Sequence, residues 1–100
     1  MTTKKKAEAK RYVVICTDKR GVFGGYLESG GLGHCVLTEV RMCLMWERVV
    51  GGVLGLSQSG PSAGSRISAV SPRGEFPDVH CVLDCSDVAR EAWIAAPAVR

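Results

Sequence analysis

Cys35-Val36-Leu37-Thr38-Glu39-Val40-Arg41-Met42-Cys43-Leu44-Met45-Trp46 reads as the longest uninterrupted element of this chain, and its period decides the fold. Val36, Thr38, Val40, Met42, Leu44 and Trp46 share one parity and are apolar but for Thr38. Cys35, Leu37, Glu39, Arg41, Cys43 and Met45 share the other, which is mixed. A strand sends alternate side chains to opposite faces, so this split predicts a central strand with one face on the core. A helix is the weaker reading, because Val, Thr and Cys are mediocre helix formers. Glu39 and Arg41, two apart on the mixed face, are expected to pair.

Toward the N-terminus, Ser29-Gly30-Gly31-Leu32-Gly33-His34 has the composition of a flexible loop. Its glycines lack the G-x-G-x-x-G spacing and the following helix that a phosphate cradle needs. Val22 to Glu28 is a strand, with Gly24-Gly25 marking a bulge or a close backbone approach. Asp18-Lys19-Arg20-Gly21 is a turn, and Arg11 to Thr17 is a β-branched strand buried on both faces. These first two strands are expected to form a hairpin.

Toward the C-terminus, Val49, Val50, Val53, Leu54 and Leu56 line one side of a short helix. Gly51 and Gly55, four apart, would let its backbone approach a neighbour. Gly60-Pro61 stops it. A polar loop follows over 57–65. Arg66 to Val70 is a short strand expected to pair with Phe76 to Cys85 after a turn at Pro72-Arg73-Gly74-Glu75. On that last strand Val79, Cys81, Leu83 and Cys85 share a face. Ser86 is an N-cap and Asp87 favours the positive end of the final helix. Val88, Ala92, Trp93 and Ala96 form that helix's apolar stripe, which Pro97 ends.

The expected fold is α+β: a mostly antiparallel sheet of about five strands, with a short glycine-rich helix and a C-terminal helix packed on one face. One hundred residues make one domain, here 11–97, preceded by a basic flexible tail over 1–10. The tail concentrates the charge. Lys4, Lys5, Lys6, Lys10 and Arg11 stand against Glu8, while the other 89 residues carry eight basic and nine acidic side chains. A duplex-binding surface needs a basic face on the folded body, which this near-neutral body lacks. No apolar run of about 18 residues offers a membrane span, and no apolar segment follows the N-terminal lysines as in a signal peptide.

The five cysteines, Cys16, Cys35, Cys43, Cys81 and Cys85, lie in apolar or alternating runs. They are expected as reduced thiols packed like small hydrophobes, not as a disulfide framework. Cys81 and Cys85 on one strand stand about 13 Å apart, too far for one zinc without a bend. His34-Cys35 and His80-Cys81 are sequence neighbours, and on a strand neighbours point apart, so neither presets a Cys–His catalytic pair. No cofactor, metal site or catalytic residue is expected.

Arg41-x-Cys43-x-x-Trp46, Gly51-Gly52-Val53-Leu54-Gly55-Leu56, Ser59-Gly60-Pro61, Arg66-Ile67-Ser68, Pro72, Asp78-Val79, Cys85-Ser86 and Trp93 follow in order. With Gly21-Val22-Phe23-x-Gly25-Tyr26-Leu27 they resemble a family of small proteins encoded mostly by bacteriophages and prophages, a domain of unknown function. The resemblance covers about residues 11–96, departs at Arg48-Val49-Val50 where polar residues are expected, and supplies no activity. It implies a bacterial cytoplasm or a virion.

The expected function is therefore that of a small phage accessory or virion-associated protein that binds another protein or itself, without catalysis. Phe23, Tyr26 and Leu32 are its candidate contacts. The alternative is nucleic-acid binding through Lys4, Lys5, Lys6, Lys10 and Arg11, with Tyr12 for stacking.

Overall fold

The computed structural model describes residues 10–18 and 21–99. Except for Lys10, the expected tail lies outside them. Five antiparallel strands and two helices make an α+β fold. In chain order they are β1 (Tyr12–Thr17), β2 (Gly21–Gly30), β3 (Gly33–Met45), α1 (Gly52–Gln58), β4 (Arg66–Ile67), β5 (Ser71–Asp84) and α2 (Asp87–Ala95).

β1 and β2 form the expected hairpin, with Tyr12 opposite Tyr26 and Thr17 opposite Gly21. β2 continues into β3 through Gly31-Leu32, where the Gly31 N–H donates to the His34 carbonyl at 2.8 Å. The stretch expected as a flexible loop over 29–34 is thus the end of a second tight hairpin. β5 joins the two hairpins. Its C-terminal half pairs with β1 and its N-terminal half with β3. The pairings β2–β1, β1–β5, β5–β3 and β3–β2 close a ring, so the sheet is a small barrel. β4 pairs with β3 beyond the ring, not with β5 as the sequence led us to expect. The C-terminal segment covers its outer side through an Ile67–Ala98 bridge.

A four-strand ring is narrow and its strands must bend, and bulges supply the bends. Glu39 has φ +50°, a conformation rarely adopted by residues with a side chain. There the parity of β3 reverses. Cys35 and Leu37 face the barrel interior before Glu39, and Val40 does so after it. Arg41 and Cys43 consequently turn to the outer, helix-covered side. Glu39 is exposed and Arg41 is buried, so the expected Glu39–Arg41 pair does not form. β5 slips in the same way. Cys81 lies opposite Cys16 but Val79 lies opposite Thr17, leaving His80 as the extra residue. Val79 and Val82 face the interior, whereas Leu83 and Cys85 face the helices.

The barrel therefore separates two apolar clusters. Inside are Val13, Ile15, Cys35, Leu37, Val40 and Val79, with Phe23, Leu27, Phe76 and Val82 at the margins. Outside, under the helices, are Tyr12, Val14, Val22, Cys43, Val50, Leu56, Ile67 and Trp93. β1 contributes to both and is buried on both faces, as its composition predicted.

Residues 48–50 form a 3-10 turn that ends at Gly51, held at φ +86°. α1 then starts at a new angle and buries Gly55 and Leu56. Val49 and Leu54, expected on the buried side, are instead exposed. α2 is capped as expected: the Ala89 N–H donates to the Ser86 hydroxyl at 3.0 Å, a contact worth about 1 kcal/mol. Its buried residues are Ala89 and Trp93, four apart, whereas Val88 faces solvent. Trp93 is fully buried. A Cβ on Gly24 would lie 2.8 Å from the Trp93 ring, and one on Gly25 would lie 2.9 Å from the Thr38 carbonyl oxygen. The paired glycines of β2 are therefore the close-approach site that the sequence suggested, with the indole lying over one of them.

The segment Pro72-Arg73-Gly74-Glu75, expected as a turn, lies inside β5. Among the described residues, 71–77 pair with β3 on one side only. Proline, which cannot donate to a ladder, is tolerated on such an edge, and Pro72 and Pro77 blunt it against strand addition.

Candidate functional site

Where the barrel opens between β2, β3 and the start of β5, it leaves a recess of about 220 Å³. Phe23, Val40 and Met42 line it from β2 and β3, Ala69 from the β4–β5 connection, and Ser71 and Phe76 from β5. The Phe23 and Phe76 rings meet at 4.6 Å between centroids, tilted by 43°. Ring closure creates this site. Phe23 and Phe76 are on strands that do not pair with each other, and β3 brings each of them to its own edge. The volume is below the roughly 300 Å³ at which sites for small-molecule cofactors begin. It suits one or two apolar side chains.

The charged group nearest this recess is already engaged. Arg41 is 4% exposed. Its guanidinium donates to the Ser68 carbonyl at 2.9 Å and to the Trp93 carbonyl at 2.6 Å, with a longer contact to the Ile94 carbonyl at 3.4 Å. It thus caps the C-terminal end of α2, where a positive charge complements the helix dipole. Ser68 is also occupied: its hydroxyl accepts from the Met42 N–H at 2.8 Å and donates to the Ala69 carbonyl at 2.9 Å.

The residues expected to contact a partner are distributed unevenly. Phe23 lines the recess, half-buried. Tyr26 packs edge-on against Tyr12 at 5.0 Å, and the Lys10 ammonium lies 5.9 Å from its ring centroid. Leu32 is 71% exposed at the tip of the β2–β3 hairpin, away from Phe23's end of the strand. Met42 and Phe76 escaped sequence reasoning. The parity change at Glu39 hid Met42, and Phe76 lay next to a stretch that resembled a turn.

The residues of the nucleic-acid alternative do not form one surface among the described residues. Lys4, Lys5 and Lys6 lie outside them. Arg11 is exposed but its Nε pairs with the Asp84 carboxylate at 2.8 Å. Tyr12 is 4% exposed and belongs to the helix-side core. Its hydroxyl is buried without a hydrogen-bond partner among the described residues, and burial pushes its pKa well up. A buried hydroxyl without a partner costs stability. Tyr12→Phe, which removes the hydroxyl but keeps the ring, is therefore expected to stabilise the protein by about 1 kcal/mol. Urea unfolding should show a higher midpoint at unchanged slope, and a lower midpoint would reveal a partner for the hydroxyl.

Burial disfavours the thiolate at three of the cysteines. Burial, with the Asp84 charge second, pushes Cys85 up to about 12. Burial likewise raises Cys43 and Cys35. His34 is exposed while Cys35 is fully buried, so that pair is split. His80 turns out to Asp18, with Nδ1 3.0 Å from the carboxylate. Among the described residues no group of three or more His, Cys, Asp or Glu is arranged to hold a metal ion. None of their helices is long and apolar enough to cross a membrane.

The fold and the recess define a small helix-capped antiparallel barrel with an apolar mouth. The chain belongs to the family described as a domain of unknown function (DUF6948), whose model matches residues 10–93. No curated protein and no solved structure shows significant similarity to it.

Proposed function

We propose that this protein is a small bacteriophage accessory or virion-associated protein that works by holding another protein, without catalysis, in the bacterial cytoplasm or the particle. The observation that carries this reading is the recess at the barrel mouth. It is apolar, its aromatic pair is preformed, and its one charged neighbour, Arg41, is occupied by carbonyl oxygens. Such a cavity accepts an apolar anchor from a partner surface, with affinity coming from desolvation of that anchor. The resemblance to phage and prophage proteins supplies the setting. Strand addition is a poorer mode, because the ring leaves few open edges and prolines blunt the edge at 71–77.

The test is affinity capture of the tagged full-length protein from phage-infected cells, beside Ala69→Arg. Ala69 is exposed at the rim, so the arginine obstructs the mouth without entering the core. A partner retained by the wild type and depleted at least about tenfold by Ala69→Arg, at unchanged melting temperature, is the expected outcome; that factor corresponds to ~1.4 kcal/mol. Equal recovery with both proteins would overturn the assignment of the recess. Binding instead to single-stranded nucleic acid, steeply weakened by salt and lost on deleting residues 1–11, would replace the reading with the alternative.

A further inference from the structure

Cys16 and Cys81 are direct cross-strand partners on the β1–β5 seam. Both are free and half-buried; Cys16 packs against the helix-side cluster, and Cys81, directly opposite it, shares that face. They differ from the other three cysteines. Cys35 is sealed in the interior cluster and Cys43 in the helix-side cluster. Cys85 is four residues along the strand from Cys81, about 13 Å away at the usual rise.

The kind of pairing follows from the ladder. The Cys85 N–H donates to the Tyr12 carbonyl at 2.9 Å. The register is unbroken from Val13 opposite Asp84 to Cys16 opposite Cys81. Hydrogen-bonded and non-hydrogen-bonded pairs alternate along an antiparallel ladder. With Tyr12 and Cys85 hydrogen-bonded, Cys16 and Cys81 are hydrogen-bonded as well, with Cα atoms expected about 5.5 Å apart. That Cα separation suits a disulfide. The Cβ atoms of such a pair stand near the wide end of about 4.5–5.5 Å, whereas a disulfide prefers about 3.5–4.5 Å. Closing the bond therefore strains the ladder, and strained disulfides are easily reduced. The register slip at His80, the next residue, gives the seam a place to twist. The Cys81 thiol is close enough to Cys16 to raise its pKa.

We propose that Cys16 and Cys81 form a reversible redox site, in which a small disulfide oxidant such as oxidised glutathione converts the two thiols to a cross-strand disulfide. One cysteine thiolate attacks the oxidant's S–S bond and expels one glutathione thiolate, forming a mixed disulfide. The second cysteine thiolate attacks the protein sulfur of that mixed disulfide and expels the second glutathione. Two electrons pass from the cysteine pair to the oxidant, and the two thiol protons end on the two reduced glutathiones. Burial and the neighbouring Cys81 push Cys16 up to about 11, which slows any attack that begins at Cys16.

The experiment treats the folded full-length protein with oxidised glutathione, followed by non-reducing mass spectrometry of the intact chain and its tryptic peptides. The expected result is loss of two hydrogens, a cross-link between the peptides bearing Cys16 and Cys81, and reversal by reduced glutathione. Cys16→Ser should instead retain one glutathione on Cys81. In a separate arm, phenylarsine oxide, which needs two adjacent sulfurs, should bind the untreated wild type one to one and bind Cys16→Ser at least about tenfold more weakly, a loss of ~1.4 kcal/mol. A bridge between other cysteines, glutathione retained on Cys81 of the wild type without closure, or no arsenical uptake would each overturn the proposal.

Discussion

Trp93→Ala is expected to destabilise the protein by about 4 kcal/mol, the middle of the usual range for emptying a buried aromatic site. Three losses coincide. The indole is fully buried in the helix-side cluster. Its Nε1–H donates to the Leu56 carbonyl at 3.0 Å, which joins α2 to α1. Its ring lies over Gly24, where no side chain exists to fill the space left behind. A domain of this size has about 5–15 kcal/mol in total, so the variant should melt roughly 20 °C lower. Trp93→Phe separates the terms, since it keeps most of the packing and loses the N–H. It should recover more than half of the deficit in thermal melts monitored by circular dichroism. An alanine variant that melts within a few degrees of wild type would mean that α2 is not part of the cooperative core.

Arg41→Met is expected to cost about 3 kcal/mol. Methionine is close in length and fills the channel, so the loss isolates the hydrogen bonds. The carbonyls of Ser68 and Trp93 lose a charged donor in a buried setting, and stranded buried acceptors carry the full desolvation penalty. Arg41→Lys is the informative control. It keeps the charge that favours the end of α2, but a point donor cannot serve two carbonyls with the geometry of a planar fork. It should lie about midway between wild type and Arg41→Met in urea midpoint. If lysine matched arginine, the helix dipole alone would account for the residue.

Much of the fold was legible because periodicity reports burial. The hairpin of β1 and β2, the long β3, the Ser86 cap and the α+β class all follow from alternation and capping chemistry. What alternation does not encode is which strands pair, so the ring closure by β5 and the displaced β4 were invisible. It also assumes a constant phase. Leu37 and Val40, three apart and both facing the interior, record the bulge at Glu39, and reading them at a strict period of two sent Arg41 to the wrong face. Pro72 and Gly74 resembled a turn because the composition of an open edge strand is that of a turn. Of the recess, only Phe23 was found from the sequence. Met42 and Phe76 needed the ring.

The ring also orders events in time. The pairings β1–β2 and β2–β3 are local, while the β1–β5 seam joins residues separated by most of the chain, and Trp93 arrives later still. Contacts of such long sequence separation slow folding, because chain entropy is lost before they form. On the ribosome, the first three strands emerge as a bent meander whose inner apolar face has nothing to close against until β5 is released. Closure of the ring thus waits for β5, and a nascent chain stalled after β3 is the species that a chaperone would hold.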